Sequence, residues 1–119
     1  MVSLTSFRNA SKGLRSVVSR ERNARIHIAF AVVAVVASIV LRIEWAQAAL
    51  VIAMIGLVFF AEVVNTAIER TLDLIATENN QVVKLVKNMA AGGVLVVAGT
   101  AVLVALCIFG PVLWRLFTA

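Results

Sequence analysis

The chain has no tyrosine, a single proline, a single cysteine and only six acidic residues among its 119. One cysteine excludes an internal disulfide, and Cys107 sits in an apolar run where it reads as a small buried residue. There is no second cysteine or H-E-x-x-H element to build a zinc site, and no G-x-x-x-x-G-K-[ST], G-x-G-x-x-G, HRD or DFG signature of the common nucleotide enzymes. Charged residues make up 14%, against the ~25% of an ordinary soluble domain. Hydrophobic residues make up 62%, more than a soluble domain of this length can hide. A bilayer is the natural solvent for such a chain.

The charge that exists is placed unevenly. Six of the eleven basic residues come before position 26: Arg8, Lys12, Arg15, Arg20, Arg22 and Arg25. With the rest of the chain lipid-soluble, this basic arm reads as a membrane-surface segment rather than a nucleic-acid binder. About twenty polar and basic residues precede the first apolar run, which does not fit a cleaved signal peptide.

The expected fold is an all-α membrane protein in one domain, 1–119, with an N-terminal amphipathic surface helix and three transmembrane helices. Leu4, Phe7, Leu14 and Val18 share a helical spacing beside the basic stripe, giving a surface helix over about 3–25. The spans are expected at about 26–42, 46–76 and 82–115. Val and Ala are abundant in the first, but a lone spanning segment must be helical to satisfy its backbone. Trp45 and Trp114 suit interfacial belts. Thr77–Gln81 is a polar connection. In the last span Gly92, Gly93 and Gly99 offer close helix contacts, and Pro111 is expected to kink or end the helix. The basic residues place the N-terminus and the second connection on the cytoplasmic side.

One cluster of polar residues stands out. Glu62, Asn65, Glu69 and Asp73 follow one another at steps of three, four and four residues. At ~100° per residue they occupy an arc of about 80° on one helix face. Glu62 comes directly after sixteen uncharged residues, so it belongs near the edge of the hydrocarbon, where an idle carboxylate is costly. A solvated helix end accounts for Asp73 but poorly for Glu62. Oxygen ligands of this kind suit Mg2+, and a carboxylate at a low-dielectric boundary suits a general base. Lys84 and Lys87 lie just across the connection, as an anionic, phosphate-bearing ligand requires. The set fits phosphoryl transfer. The lone His27 reads as a boundary residue or hydrogen-bond partner. An ion pathway is disfavoured, because only Ser38, Gln47 and Thr100 offer polarity along the spans.

The octamer from Glu62 to Glu69, E-V-V-N-T-A-I-E, followed by Asp73-Leu74, resembles the signature of the small prokaryotic diacylglycerol kinases, a family that includes undecaprenol kinases. Phe7, Ala10 and Gly13 resemble the family's surface-helix pattern. The stretch from Glu21 through Asn23 to His27 is similar to its E-x-N-x-x-x-H element, the stretch from Lys87 to Gly92 to its K-D-x-A-A-G segment, and Phe109-Gly-Pro111 to a common ending. The resemblance implies a homotrimer in the bacterial inner membrane. Its active sites lie between subunits at the cytoplasmic face and transfer the γ-phosphate of ATP to a lipid hydroxyl with Mg2+ as cofactor. It implies Glu62 as the general base acting on the lipid, supported by Asn65. It implies Glu21 and Glu69 as carboxylates for metal and ATP, Lys87 and position 88 as ATP contacts, and Asn23 and Arg25 as lipid-side contacts. This chain departs by carrying Asn88 where the family has Asp, and Asn79 and Asn80 where His or Tyr is common. Asn88 keeps hydrogen bonding but loses a charge, which opens an alternative: a catalytically impaired member acting as a membrane assembly or regulatory protein.

Overall fold

The computed structural model describes residues 3–76 and 79–119; Thr77 and Glu78 of the polar connection lie outside the described residues. Every element is helical: α1 (Leu4–Arg20), α2 (Arg22–Val40), α3 (Trp45–Ile75) and α4 (Gln81–Thr118). The last three are long and apolar enough to cross a membrane. The chain is an all-α membrane protein, as the composition led us to expect.

α1 starts at Ser3, whose hydroxyl accepts from the Ser6 amide at 3.2 Å. It contains no acidic residue and ends on Arg20, a cation placed well for the negative end of the helix dipole. The surface helix expected over 3–25 stops here, five residues early. Glu21 is extended (φ −103°, ψ 116°), and residues 22–25 belong to the first crossing helix. Local sequence gives no breaker at this corner; side chains from later in the chain hold it. Arg25 reaches back with Nη1 to the carbonyls of Val18 (3.0 Å) and Ser19 (3.1 Å), which otherwise lack partners at the helix end.

α2 rises about 28 Å over its length, close to the ~30 Å of a hydrocarbon core. It closes on a Schellman-type cap with Arg42 in the left-handed region at φ 52°. There the Arg42 amide bonds the Ile39 carbonyl (3.3 Å) and the Ile43 amide bonds the Ser38 carbonyl (3.3 Å). α3 begins at once, with Gln47 Oε1 accepting from the Glu44 amide at 3.3 Å. At its 31 residues α3 is about 46 Å long. It therefore exceeds the hydrocarbon and carries its last turns into the polar region. Asn80 Oδ1 caps α4, accepting from Val82 (2.9 Å) and Val83 (3.2 Å).

α4 passes through Pro111 without ending and runs to Thr118. Proline is tolerated in spanning helices because local adjustment and neighbouring groups can satisfy the carbonyl four residues earlier, here that of Cys107, which its missing N–H leaves free. The glycines do not serve contacts within the chain. A methyl group added at Gly92, Gly93 or Gly99 meets nothing within 4 Å, so these positions face away from α3.

α3 is the central element. It packs along α4 and against α2, while α2 and α4 do not pack on each other. α1 lies across one end and touches α2 and α3. Few apolar residues are buried: Val17, Ala24, Val51, Val58, Val83 and Ile108. Large apolar side chains such as Phe30 and Leu103 face outward, the surface that lipid or another membrane helix covers. Between α2 and α4, over the floor of α3, runs an apolar groove of about 870 Å³ whose polar end is His27.

Candidate active site

The end of the bundle where α1 lies collects the polar residues. Glu62 comes seventeen residues after Trp45, a rise of about 26 Å, which puts it at the far edge of a ~30 Å hydrocarbon layer. Among the described residues the three buried polar ones are adjacent there: Glu62, Asn65 and Thr66, exposed by only 2, 7 and 2%. A solvated helix end does not bury its carboxylate.

His27, on the first turns of α2, brings Nε2 to 3.8 Å from Glu62 Oε2. That is too long for a hydrogen bond but short for an electrostatic contact. Among the described residues the Glu62 carboxylate makes no hydrogen bond. It is therefore held by packing with its lone pairs uncommitted, the condition a proton acceptor needs. One turn along, Asn65 Nδ2 donates to Glu69 Oε1 at 3.4 Å. Asn65 Oδ1 and Thr66 Oγ1 have no partner among the described residues although both are buried. Buried polar atoms are paired as a rule, so two orphans side by side next to a buried carboxylate mark a place where a ligand or water completes the structure.

Two ion pairs flank this face. Glu21 Oε1 lies 3.3 Å from Arg70 Nη2, and Lys87 Nζ bonds Asp73 Oδ1 at 2.5 Å. The first ties the α1–α2 corner to α3; the second ties α4 to α3. Carboxylates in this arrangement suit a cation that takes one or two of them and completes its shell with water and phosphate oxygens. Among the described residues no three His, Cys, Asp or Glu side chains gather into a site that holds a metal unaided.

The structure thus brings Glu62, Asn65 and Glu69 together on α3 and sets Glu21 and Lys87 at the same end. Asn88 follows Lys87 but is exposed, as is Asn23. Arg25 directs Nη1 to the α1 carbonyls. The sequence reading undervalued three residues. His27 faces Glu62 from another helix, and the only signal for it was its place in the element shared with Glu21. Thr66 lies between Asn65 and Glu69 in the octamer and carries no signal beyond that place. Nothing in the sequence around Arg70 signals its contacts with Ser16 and Glu21.

A family model described as prokaryotic diacylglycerol kinase matches residues 8–109. The chain is 33% identical over 106 residues to an undecaprenol kinase of Bacillus subtilis (strain 168), covering 89% of this chain and 86% of that protein. It is 35% identical over 114 residues to a diacylglycerol kinase of Synechocystis sp., covering 95% of this chain and 65% of that one. The matched region takes in the α1–α2 corner, the whole of α3 and most of α4, and with them every element that shapes the buried carboxylate face. The chain belongs to the prokaryotic diacylglycerol kinase family and is a lipid kinase.

Proposed function

We propose that this kinase transfers the γ-phosphate of ATP to the hydroxyl of a membrane lipid, diacylglycerol or undecaprenol. It works in the bacterial inner membrane as a homotrimer, with its N-terminus and Glu62 at the cytoplasmic face. The observation that carries this reading is the buried Glu62 carboxylate beside His27, without a hydrogen bond among the described residues, at the depth where a lipid hydroxyl meets water-borne nucleotide. The groove that ends at His27 is lined otherwise by Ala, Val, Ile, Met and Phe side chains, so an apolar chain meets no polar barrier before reaching that end.

In this reading Glu62 accepts the proton of the lipid hydroxyl. The lipid oxygen bonds to the γ-phosphorus, the bond from that phosphorus to the β-phosphate oxygen breaks, and ADP leaves. Positioning and charge neutralisation supply most of the rate in such transfers. Asn65 keeps Glu69 oriented, and Lys87 meets phosphate oxygens once it exchanges Asp73 for them. Glu21 and Glu69 would hold Mg2+, which neutralises phosphate charge when bound.

Purified protein in mixed micelles with labelled ATP and Mg2+ should label undecaprenol, diacylglycerol or both. A second reading, an assembly protein without catalysis, draws on Asn88, which lacks the charge of the family's Asp. It prevails if neither lipid is labelled and Mg-ATP fails to bind, while Asn88→Asp restores both.

A further inference from the structure

Arg70 is the one basic residue of α3, directly after Glu69 on the flank of the polar face. Its guanidinium makes three contacts with the other end of the sequence. Nη1 donates to Ser16 Oγ at 2.8 Å, Nη2 donates to the Ser16 carbonyl at 3.4 Å, and Nη2 also donates to Glu21 Oε1 at 3.3 Å. Ser16 belongs to α1, and Glu21 is the extended residue between α1 and α2. One side chain from α3 thus grips the surface helix and its corner together. A planar, forked donor suits this task; a lysine reaches one partner at a time.

The direction of the Glu21 carboxylate is informative. Glu21 is the N-cap residue of α2, where an acidic side chain ordinarily turns to the free amides of its own helix. Here it makes no cap bond and points instead to Arg70. Its orientation is fixed by α3, the helix that carries Glu62 and Glu69, and not by the helix it begins.

We propose that Arg70 is a positioning residue. It pins the α1–α2 corner to α3, so that the Glu21 carboxylate is presented toward the Glu69 side of the site before metal and nucleotide arrive. This inference rests on the assignment of Glu21 to the metal–nucleotide side. It makes Arg70 act through Glu21, without contact with either substrate. The pair is about one-third exposed on each side, so its effect is modest in energy and lies in geometry.

Trypsin offers a readout independent of catalysis, because Arg20 and Arg22 flank Glu21. In detergent, ligand-free Arg70→Gln should be cut after Arg20 and Arg22 several-fold faster than wild type, and Arg70→Lys at an intermediate rate. Binding of a fluorescent Mg-nucleotide analogue, and KM for Mg-ATP, should weaken about three- to tenfold in Arg70→Gln, with kcat at saturating nucleotide within about twofold and partial rescue in Arg70→Lys. Faster cutting with unchanged nucleotide affinity reduces Arg70 to a structural strut and overturns the proposal. Wild-type protein that binds Mg-nucleotide, with Arg70→Gln indistinguishable from it in every assay, overturns the pin alone. Wild-type protein that neither binds Mg-nucleotide nor labels lipid overturns the kinase mechanism beneath it, and the pin with it.

Discussion

His27 Nε2 on α2 stands 3.8 Å from Glu62 Oε2 on α3. No other basic group is placed against this carboxylate among the described residues, and the contact joins the entrance of the first crossing helix to the polar end of the second. This carboxylate is 2% exposed and makes no hydrogen bond among the described residues, so packing holds it, and His27 is part of that packing.

His27→Ala should therefore lower kcat about tenfold while leaving KM for Mg-ATP within about twofold, since a misplaced proton acceptor costs turnover and not nucleotide binding. Steady-state kinetics in mixed micelles decides this. Unchanged kcat removes His27 from the site.

Lys87 and Asp73 form an ion pair on the rim, with side chains 30% and 60% exposed. Exposed pairs contribute ~0–1 kcal/mol, so Lys87→Met should shift the thermal midpoint by no more than a few degrees. Its effect on KM for ATP should be at least about tenfold, as loss of a phosphate-binding cation demands. A large loss of stability with normal KM would make Lys87 a structural residue.

How far these contacts were legible in the sequence differs from residue to residue. The Glu62–Asn65–Glu69 face follows from helical spacing, because a local period needs no knowledge of the partner helices. The arrest of α1 at Glu21 does not. Nothing near that residue disfavours helix, and the corner is held by Arg25 from the next helix and Arg70 from the one after it. The placement of His27 against Glu62 is also tertiary. At Pro111, of the two outcomes expected, a kink or an end, the end does not occur, because the cost of a proline is set by what surrounds the helix.

At the opposite end of the bundle, Arg42 holds φ 52° at the cap of α2. A side chain there costs roughly 1 kcal/mol that glycine avoids. Arg42→Gly should raise stability by about 0.5–1 kcal/mol in detergent, less any entropy the glycine adds to the unfolded chain, with lipid kinase activity unchanged. A fall in stability would show that the arginine side chain is worth more than its backbone strain.

Asn80 accepts from two amides at the start of α4. Asn80→Ala should cost about 1 kcal/mol, and Asn80→Asp should retain the cap. Equal thermal midpoints for wild type and Asn80→Ala would mean that packing alone fixes the α3–α4 connection.

The central claim is that the buried carboxylate of Glu62 performs the proton transfer. Glutamine fills nearly the same volume and removes a buried charge, so Glu62→Gln should fold at least as well as wild type. Its turnover should fall about 10²–10⁴-fold, the share a positioned general base contributes, on whichever of undecaprenol and diacylglycerol the wild type labels, with Mg-ATP still bound. Labelling by Glu62→Gln at the wild-type rate would contradict the account.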